Sequence, residues 1–491
     1  MQPAAPRGAK QTAQRAVSSL PRKNTFWTNA TAQKPSASRA SKSPEIDPKH
    51  LPVNPTELYG MATAEIADSV REKQDSRLDC GFRNMSNFLK STAVATLLVA
   101  IAHGSAAQVS SDLKKNAPLA VVHLELAMSH PYIQAKVNNS PPLSLIVDTG
   151  AANSSLDKMA ASLAQLVVSG TAPAIGFGGE MTSQFSLSNT LSIDSESLSN
   201  VRFDIESLQP GIYGEHEGHL HNGAIGWNLF EHYAIEIDYG AKELRLYDRD
   251  RYQYSGGGCL LPLEIRNGEP TVGGQIAASD GHLIEARLEL DTGAVFSIVT
   301  KHFGDDHPEI ALRGKTIEQP RVPQAGGDAR FRTGRIGAIH IGECVVQQPI
   351  VGFSEDSVGI GATKDFDIVL GGEELSQFTV AIDNQHQRVA FEPNHTFGKR
   401  SEELYMSGIH VIAEGEDFHA FRVDLAAEPD SPGEKGYIRQ NDFIESVNGV
   451  SAEYLTLTEV REALRKPGKL HLGIRRGKKR FKTTLKLIPR I

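Results

Sequence analysis

Two aspartates in matching local sequences are the residues of this chain with the clearest chemical potential. Asp148 and Asp291 each begin the tetrapeptide Asp-Thr-Gly-Ala, and each follows a short apolar run. Two carboxyl groups held close together cannot both ionise easily, so one keeps a proton while the other stays charged. The charged member can take a proton from water, and the protonated member can polarise a carbonyl group. Such a pair predicts hydrolysis without a metal ion or other cofactor.

The residues that follow each aspartate have predicted supporting roles. Gly150 and Gly293 allow a tight turn and let backbone N–H groups approach the carboxylates. The hydroxyl groups of Thr149 and Thr292 are expected to bond across the two loops and lock them together. A single Asp-Thr-Gly after a strand is more often an ordinary turn, so the prediction depends on the repetition.

The repetition extends well beyond the two tetrapeptides. Glycine-rich turns follow the two copies at 175–180 and 323–328, and both lie between predicted strands, as hairpin tips do. Apolar-apolar-Gly segments come later, at 224–226 and 369–371. The same landmarks in the same order predict that one structural unit has been used twice.

The two units are predicted at residues 117–255 and 259–397, and are called the first and second repeat below. The chain contains 44 glycines and many short apolar runs, which favour strands over helices and predict a mainly β protein. Pseudo-twofold symmetry brings two equivalent aspartates to one axis within a single chain. A dimer is therefore not required to complete the site.

Residues 117–393 resemble the retropepsin-like (clan AA) aspartic proteases. In that family each lobe carries hydrophobic-hydrophobic-Asp-Thr-Gly-Ala and a later hydrophobic-hydrophobic-Gly, and both motifs occur twice here. The resemblance implies a bilobal pepsin/retropepsin-like double β-barrel. It also implies that Asp148 and Asp291 form a catalytic dyad, which activates a water molecule to hydrolyse peptide bonds of a polypeptide substrate.

The same resemblance implies two substrate-binding flaps. Their residues are Gly176, Phe177, Gly178 and Gly179 in the first repeat and Ala325, Gly326 and Gly327 in the second. Two positions depart from the family pattern, because Glu289 stands where an apolar residue is usual and Ala224 is small.

Residues 401–491 resemble a PDZ domain of the bacterial periplasmic-protease type. The matching pieces are Ser431-Pro432 with Gly436, 441–444 and 447–449. The resemblance implies a small α+β barrel that binds a peptide or protein partner as a strand added to a sheet edge. A module that only packs against the protease is the alternative.

The amino-terminal part is predicted to be a leader followed by an export signal. Residues 1–84 are basic and lack apolar periodicity, as in disordered segments. Residues 85–107 combine Lys90, a short apolar run and small residues, which together resemble a signal peptide cleaved near Ala107. The run is too short for a stable transmembrane helix. Translation from Met85 would explain its position, and the protein is expected to be periplasmic or extracellular.

Other features exclude some functions and leave others open. The net charge of −8, despite the basic leader, argues against nucleic-acid binding. Cys259 and Cys344 could pair in an exported protein, which spacing does not decide. The His-rich segment 215–221 lacks zinc-motif spacing and is expected to be a solvated loop without metal. A non-catalytic peptide-binding protein and a metalloprotease remain alternatives, separable by turnover and by chelator sensitivity.

Overall fold

The computed structural model describes residues 117–206, 212–266, 268–319, 321–399 and 406–491. The predicted leader at 1–84 and the predicted export signal at 85–107 lie outside these residues. Strands dominate the described chain, so the predicted mainly β class is confirmed. None of the helices within the described ranges is long and apolar enough to cross a membrane.

The first repeat is built from short strands joined by tight turns. Its described strands are β1 (Ala120–His123), β2 (Glu125–Ala127), β3 (His130–Val137), β4 (Leu143–Val147), β5 (Ser154–Leu156), β6 (Val168–Gly176), β7 (Gly179–Ile193), β8 (Glu196–Ile205), β9 (Gly223–Ile225), β10 (Tyr233–Asp238) and β11 (Glu243–Asp248). Its described helices are α1 (Lys158–Leu163), α2 (Ile212–Glu217) and α3 (Trp227–Phe230).

The second repeat follows the same order with extra strands. Its described strands are β12 (Cys259–Pro262), β13 (Glu264–Arg266), β14 (Glu269–Ala277), β15 (Leu283–Leu290), β16 (Ile298–Val299), β17 (Ala311–Glu318), β18 (Val322–Gln324), β19 (Gly327–Ala329), β20 (Phe331–Ile336), β21 (Ala338–Ile341), β22 (Cys344–Gln347), β23 (Ile350–Ser354), β24 (Ile368–Leu370), β25 (Phe378–Asp383) and β26 (Arg388–Pro393). Its described helices are α4 (Lys301–Asp306) and α5 (Gly372–Leu375).

Each repeat has its own sheet, and the strand before the aspartate is central in it. In the first repeat the sheet runs β2-β3-β4-β9-β5-β8-β7-β6, and in the second β17-β20-β23-β16-β24-β15-β14-β21-β22. β4 pairs in parallel with β9, and β15 pairs in parallel with β24. Because these strands are buried, their apolar residues fix the register on which the two aspartate loops depend.

A third sheet contains strands from both repeats and holds them together. Its order is β1-β11-β10-β25-β26-β12, and β10 pairs with β25 across the boundary. Across this boundary Ile235 pairs with Ile382 and Ile237 pairs with Val380. All four residues belong to one hydrophobic core shared by the repeats. A disulfide between Cys259 and Cys344 also ties β12 to β22, a pairing that the sequence had left open.

The C-terminal module (residues 406–491) has a separate core and its own sheet, in the order β27-β28-β29-β31-β32. Its described strands are β27 (Val411–Glu414), β28 (Ala420–Val423), β29 (Phe443–Val447), β30 (Val450–Ser451), β31 (Gly468–Arg476) and β32 (Lys479–Leu487), and its helices are α6 (Pro432–Lys435) and α7 (Leu457–Arg465). A capping box between Thr456 and Glu459 begins α7.

Candidate active site

The two aspartates lie at equivalent positions, directly after β4 and β15. The backbone N–H of Asp148 donates to the carbonyl of Ile225 at 2.9 Å, and that of Asp291 donates to the carbonyl of Leu370 at 3.1 Å. Each acceptor is the last residue of the neighbouring parallel strand, immediately before the glycine of the apolar-apolar-Gly motif. The pairing of the two motifs therefore positions each aspartate at the end of its strand.

The structure places the two carboxyl groups close enough for each to influence the ionisation of the other. Gly150 donates its N–H to Asp148 Oδ1 at 2.9 Å, and Gly293 donates to Asp291 Oδ1 at 2.8 Å. A Cβ atom on Gly150 would lie 2.6 Å from Cγ of Asp291, and one on Gly293 would lie 2.5 Å from Cγ of Asp148. Glycine is needed here because the opposite aspartate approaches so closely.

The two threonines bond across the repeats. The N–H groups of Thr149 and Thr292 each donate to the hydroxyl oxygen of the other threonine at 3.0 Å. The hydroxyl of Thr149 donates to the carbonyl of Leu290 at 2.6 Å, and that of Thr292 donates to the carbonyl of Val147 at 2.5 Å. Both threonines are buried, so this closed network holds the two aspartate loops in a fixed relation.

The two glycine-rich hairpins meet at their tips. The N–H of Gly178 donates to the carbonyl of Ala325 at 2.9 Å. A Cβ on Gly176 would collide with Ala325, and one on Gly326 with the backbone of Gly179, so the tips need glycine. The ring of Phe177 packs against Phe331 of the second repeat, with centroids 5.3 Å apart.

Burial raises the pKa of both aspartates, but to different extents. The pKa of Asp291 lies well above its usual range because of burial and of the charge on Asp148. Burial also raises the pKa of Asp148, but the N–H of Gly150 and the charge of His130 act in the opposite direction. In such a pair Asp148 is the member that ionises first, and Asp291 is the member that keeps the proton.

A buried polar network lies beside Asp148 in the first repeat. His130 Nδ1 is 3.1 Å from Glu217 Oε1, and the hydroxyl of Tyr132 donates to the other oxygen of Glu217. Burial raises the pKa of Glu217, but the charge and hydrogen bond of His130 outweigh it and hold that pKa below its usual range. His221 is buried near the same residues and is 3.1 Å from the Tyr132 hydroxyl.

The prediction of a solvated His-rich loop at 215–221 is therefore wrong. Residues 212–217 form α2, and Glu217 and His221 point into the core, where they bond to residues on other strands. Polar residues in a sequence usually indicate solvent exposure, but here they contact other polar residues in the interior. Within the described chain no group of three or more His, Cys, Asp or Glu residues is arranged to hold a metal ion.

An acid pair lies beside Asp291 in the second repeat. Glu289 is only 2% exposed and interacts with Glu269. Burial raises the pKa of Glu269 to about 7, and burial together with the charges of Asp291 and Glu269 raises the pKa of Glu289 well above its usual range. Glu289 is the departure noted in the sequence, and it is a buried acid with a raised pKa rather than an exposed one.

Sequence reasoning identified the aspartates, threonines and glycines but missed the residues around them. His130 and Tyr132 alternate with apolar residues at the start of β3, so they read as one face of an ordinary strand. Glu269 lies at the start of β14 and carried no motif. The usable signal was Glu289, a charged residue at the position where the first copy of the motif has the apolar Ile146.

Comparison with family models gives one match, to the aspartyl protease family, over residues 133–229. This segment is less than half of the chain, and it includes Asp148 and the first hairpin but not Asp291. The match supports a protease function for the first repeat. Comparison with curated proteins found no match.

One solved structure similar to this chain is an aspartic proteinase from Irpex lacteus. The two share 15% sequence identity, and the alignment covers 57% of this chain and 98% of that chain, with a TM-score of 0.37. Because identity and TM-score are both low, nothing further about this chain is inferred from that likeness.

Proposed function

We propose that this protein is a retropepsin-like aspartic endopeptidase with a bilobal double β-barrel, formed by the two repeats of one chain. The observation that carries the proposal is the close approach of Asp148 and Asp291 within the threonine network. Both aspartates come from one polypeptide, so the site is complete without a dimer. The family match over the first repeat supports the same reaction class.

The proposed mechanism uses the different proton affinities of the two aspartates. Ionised Asp148 takes a proton from a water molecule, whose oxygen attacks the peptide carbonyl carbon. Protonated Asp291 donates its proton to the carbonyl oxygen, which gives a neutral tetrahedral diol. Asp148 then gives its proton to the amide nitrogen, the C–N bond breaks, and Asp291 recovers its proton from a diol hydroxyl as the new carboxyl group forms.

The glycine-rich hairpins are proposed to hold the substrate. The glycines within 176–179 and 325–327 present backbone N–H and C=O groups without side chains, which suits an extended peptide. The hairpins must separate to admit the chain and close again to exclude water.

The test is turnover of an unstructured peptide library by the purified full chain. Cleavage is expected to be blocked by a statine-type transition-state analogue and to resist chelators. Asp148→Asn and Asp291→Asn should each reduce turnover by at least about a thousandfold, because each removes an essential proton carrier. Asp280→Asn, at an exposed turn of the second repeat, is the matched control.

Full activity in either variant would exclude the dyad. A protein that binds the same peptides without cutting them would instead be the non-catalytic binding protein named above. Inhibition of cleavage by chelators, together with full activity of the Asp148→Asn variant, would favour the metalloprotease alternative.

We propose that the C-terminal module is a PDZ domain that binds a peptide or protein partner. Its support is a strand, β27, at one edge of the module sheet, with α7 packed against that strand. Export to the periplasm or outside the cell is also proposed, and the disulfide between Cys259 and Cys344 supports it, since disulfides persist in oxidising compartments. Sequencing the mature N-terminus tests the export, and a start near Ala107 is expected.

A further inference from the structure

Strand β27 forms one edge of the module sheet but is not exposed. Among the described strands it pairs with β28 alone, so its other edge carries no strand. An uncovered edge of this kind is where a peptide adds as a further strand. Yet Val411, Ile412 and Ala413 are only 2%, 3% and 0% exposed. Another part of the protein must therefore cover the edge.

The cover comes from the first repeat. Helix α2 (Ile212–Glu217) lies against β27. Immediately after the helix, a Cβ atom on Gly218 would lie 2.5 Å from Cβ of Leu457, the first residue of α7. A Cβ on Gly214, within α2, would be 3.3 Å from the ring of Phe418, in the loop between β27 and β28. The segment therefore fills the space between β27 and α7.

Two arginines on α7 bond the module to the two repeats beside this segment. The guanidinium of Arg461 donates to the carbonyl of Val411 at 2.6 Å and also contacts the sulfur of Met128 in the first repeat. One turn later, Arg465 makes two hydrogen bonds to the carboxylate of Glu373 in α5, at 2.9 and 3.3 Å. Because paired guanidinium–carboxylate bonds fix geometry, the module is oriented against both repeats.

The same segment reaches the site of the two aspartates. Glu217 is the last residue of α2 and bonds to His130 and Tyr132, and His130 acts electrostatically on Asp148. His216, the preceding residue, is on the module side, where burial and the charge of Arg461 lower its pKa. One short helix therefore contacts β27 of the module on one side and, on the other, the residues His130 and Tyr132 beside Asp148.

We propose that α2 is an internal occupant of the peptide groove of the C-terminal module, and that an extended peptide must displace α2 in order to add to β27. This inference rests on the proposed function of that module. Displacement withdraws Glu217 from His130 and Tyr132, so peptide binding at the module lowers turnover at the dyad. By linkage, a ligand that stabilises the closed dyad weakens peptide binding at the module.

Gly218→Ala tests the proposal, because the added methyl group wedges α2 away from Leu457. The matched control is Gly281→Ala, which has the same left-handed backbone (φ +89° against +65°) but no atom within 4 Å of the added group. Both variants are made in the full chain carrying Asp291→Asn, so that peptides stay intact. The probe is a pool of random octapeptides with free carboxyl ends.

Gly218→Ala is expected to speed deuterium exchange of the Val411–Glu414 amides by about tenfold and to retain about tenfold more peptide than its parent. Equal exchange and retention in Gly218→Ala and Gly281→Ala would overturn the proposal. So would a parent chain that already retains peptide as well as Gly218→Ala does. Neither readout requires catalysis, so an inactive dyad would defeat the proposed hydrolysis and leave this test intact.

A second variant covers the case in which Gly218→Ala fails to fold. Arg461→Met removes the bond to the Val411 carbonyl and keeps much of the side-chain length, and is expected to raise both readouts about threefold. Arg439→Met, at an exposed position of the same module, is its control and should change neither. In the catalytically intact chain, Gly218→Ala should lower turnover relative to Gly281→Ala, because the displaced α2 withdraws Glu217 from His130, and equal turnover in the two variants would overturn the coupling.

Discussion

The two repeats are nearly identical at the aspartates and different immediately beside them. The glycine N–H bonds to the carboxylates measure 2.9 and 2.8 Å, and the threonine hydroxyl bonds measure 2.6 and 2.5 Å. The reciprocal threonine bonds are both 3.0 Å. This agreement follows from the shared Asp-Thr-Gly sequence and from the shared pairing of the strand before it with a parallel neighbour.

The strands that precede the two aspartates differ in the side chains they place nearby, basic in the first repeat and acidic in the second. In the first repeat Tyr132 faces Ile146 across the sheet, and in the second Thr271 faces Glu289. Two residues earlier in the neighbouring strands, β3 and β14, lie His130 and Glu269. A base near Asp148 and acids near Asp291 favour ionisation of one and protonation of the other. The repeat thus provides the geometry, and its divergence determines which aspartate keeps the proton.

After the aspartate substitutions, removing a threonine hydroxyl is expected to give the largest effects, and equal ones in the two repeats. Thr149→Val and Thr292→Val each leave a buried carbonyl and a buried N–H without partners. Each should cost about 3 kcal/mol of the free energy of unfolding. Each should also lower kcat/KM at least about a hundredfold, because the loops lose their fixed relation. Urea unfolding and peptide cleavage measure the two effects.

The control for this pair is serine, which keeps the hydroxyl group. Thr149→Ser and Thr292→Ser should stay within about threefold of the parent activity, since the hydrogen bonds persist. Effects that differ by more than about tenfold between the two valine variants would contradict a symmetric centre.

His130→Gln should affect only the first aspartate. The substitution removes the positive charge that lowers the pKa of Asp148. That pKa then rises, so the ionised form needs a higher pH, and the acid limb of the kcat/KM profile should move up by about one unit. His123→Gln, at an exposed position on β1, should leave the profile unchanged. An acid limb that stays in place would separate His130 from the charge state of Asp148.

Much of the centre was predictable because it depends on short-range sequence. Asp-Thr-Gly-Ala, the glycine-rich turns and the apolar-apolar-Gly segments each specify a local conformation, and their order predicted two copies of one unit. The reason for Gly150 and Gly293 was only partly foreseen. Their decisive constraint is the carboxyl group of the aspartate in the opposite repeat. The adjoining threonines, which bond to each other, are likewise 143 positions apart along the chain.

The surroundings were not predictable because they depend on contacts distant in sequence. Glu217 and His130 are 87 positions apart, and neither belongs to a motif. The polar segment 215–221 favoured solvent by composition, and only tertiary contacts with β3 supply its partners. The position of α2 against the module depends on contacts of Gly218 and Arg461 with other segments, for which single-sequence patterns contain no signal.

Glu289→Gln, in the second repeat, should increase the free energy of unfolding at neutral pH but not at acid pH. The pKa of Glu289 in the folded chain lies well above 4.5, its unperturbed value. A raised pKa stabilises the fold fully below 4.5, and this contribution is lost as pH rises towards the folded pKa. Glutamine avoids the loss, so the variant should match the parent at pH 4 and exceed it by about 2 kcal/mol at pH 7.5.

Urea unfolding at the two pH values measures this difference. Glu285→Gln, exposed on the same strand, should leave the pH dependence of the parent unchanged. A variant that is less stable than its parent at pH 7.5 would show that the ionised carboxylate, not the protonated acid, is the native form of Glu289.

Glu269→Gln should give the smallest effect, at the opposite limb from His130→Gln. Glu269 has a pKa of about 7, and its charge raises the pKa of Asp291. The variant lacks that charge, so Asp291 loses its proton at a lower pH and the basic limb should fall by about half a unit. Below about pH 6 the parent residue is protonated and activity should not change. Glu264→Gln, exposed on β13, is the control.

A basic limb that rises, or an acid limb that moves instead, would contradict the assignment of Asp291 as the protonated partner. If both limbs move as expected, His130→Gln combined with Glu269→Gln should narrow the active pH range from both sides, with nearly additive shifts. Additivity is expected because the two residues act on different aspartates, and a strongly non-additive result would mean that both act on the pair as one unit. The width of the active pH range therefore measures how differently the two repeats act on the pKa values of their aspartates.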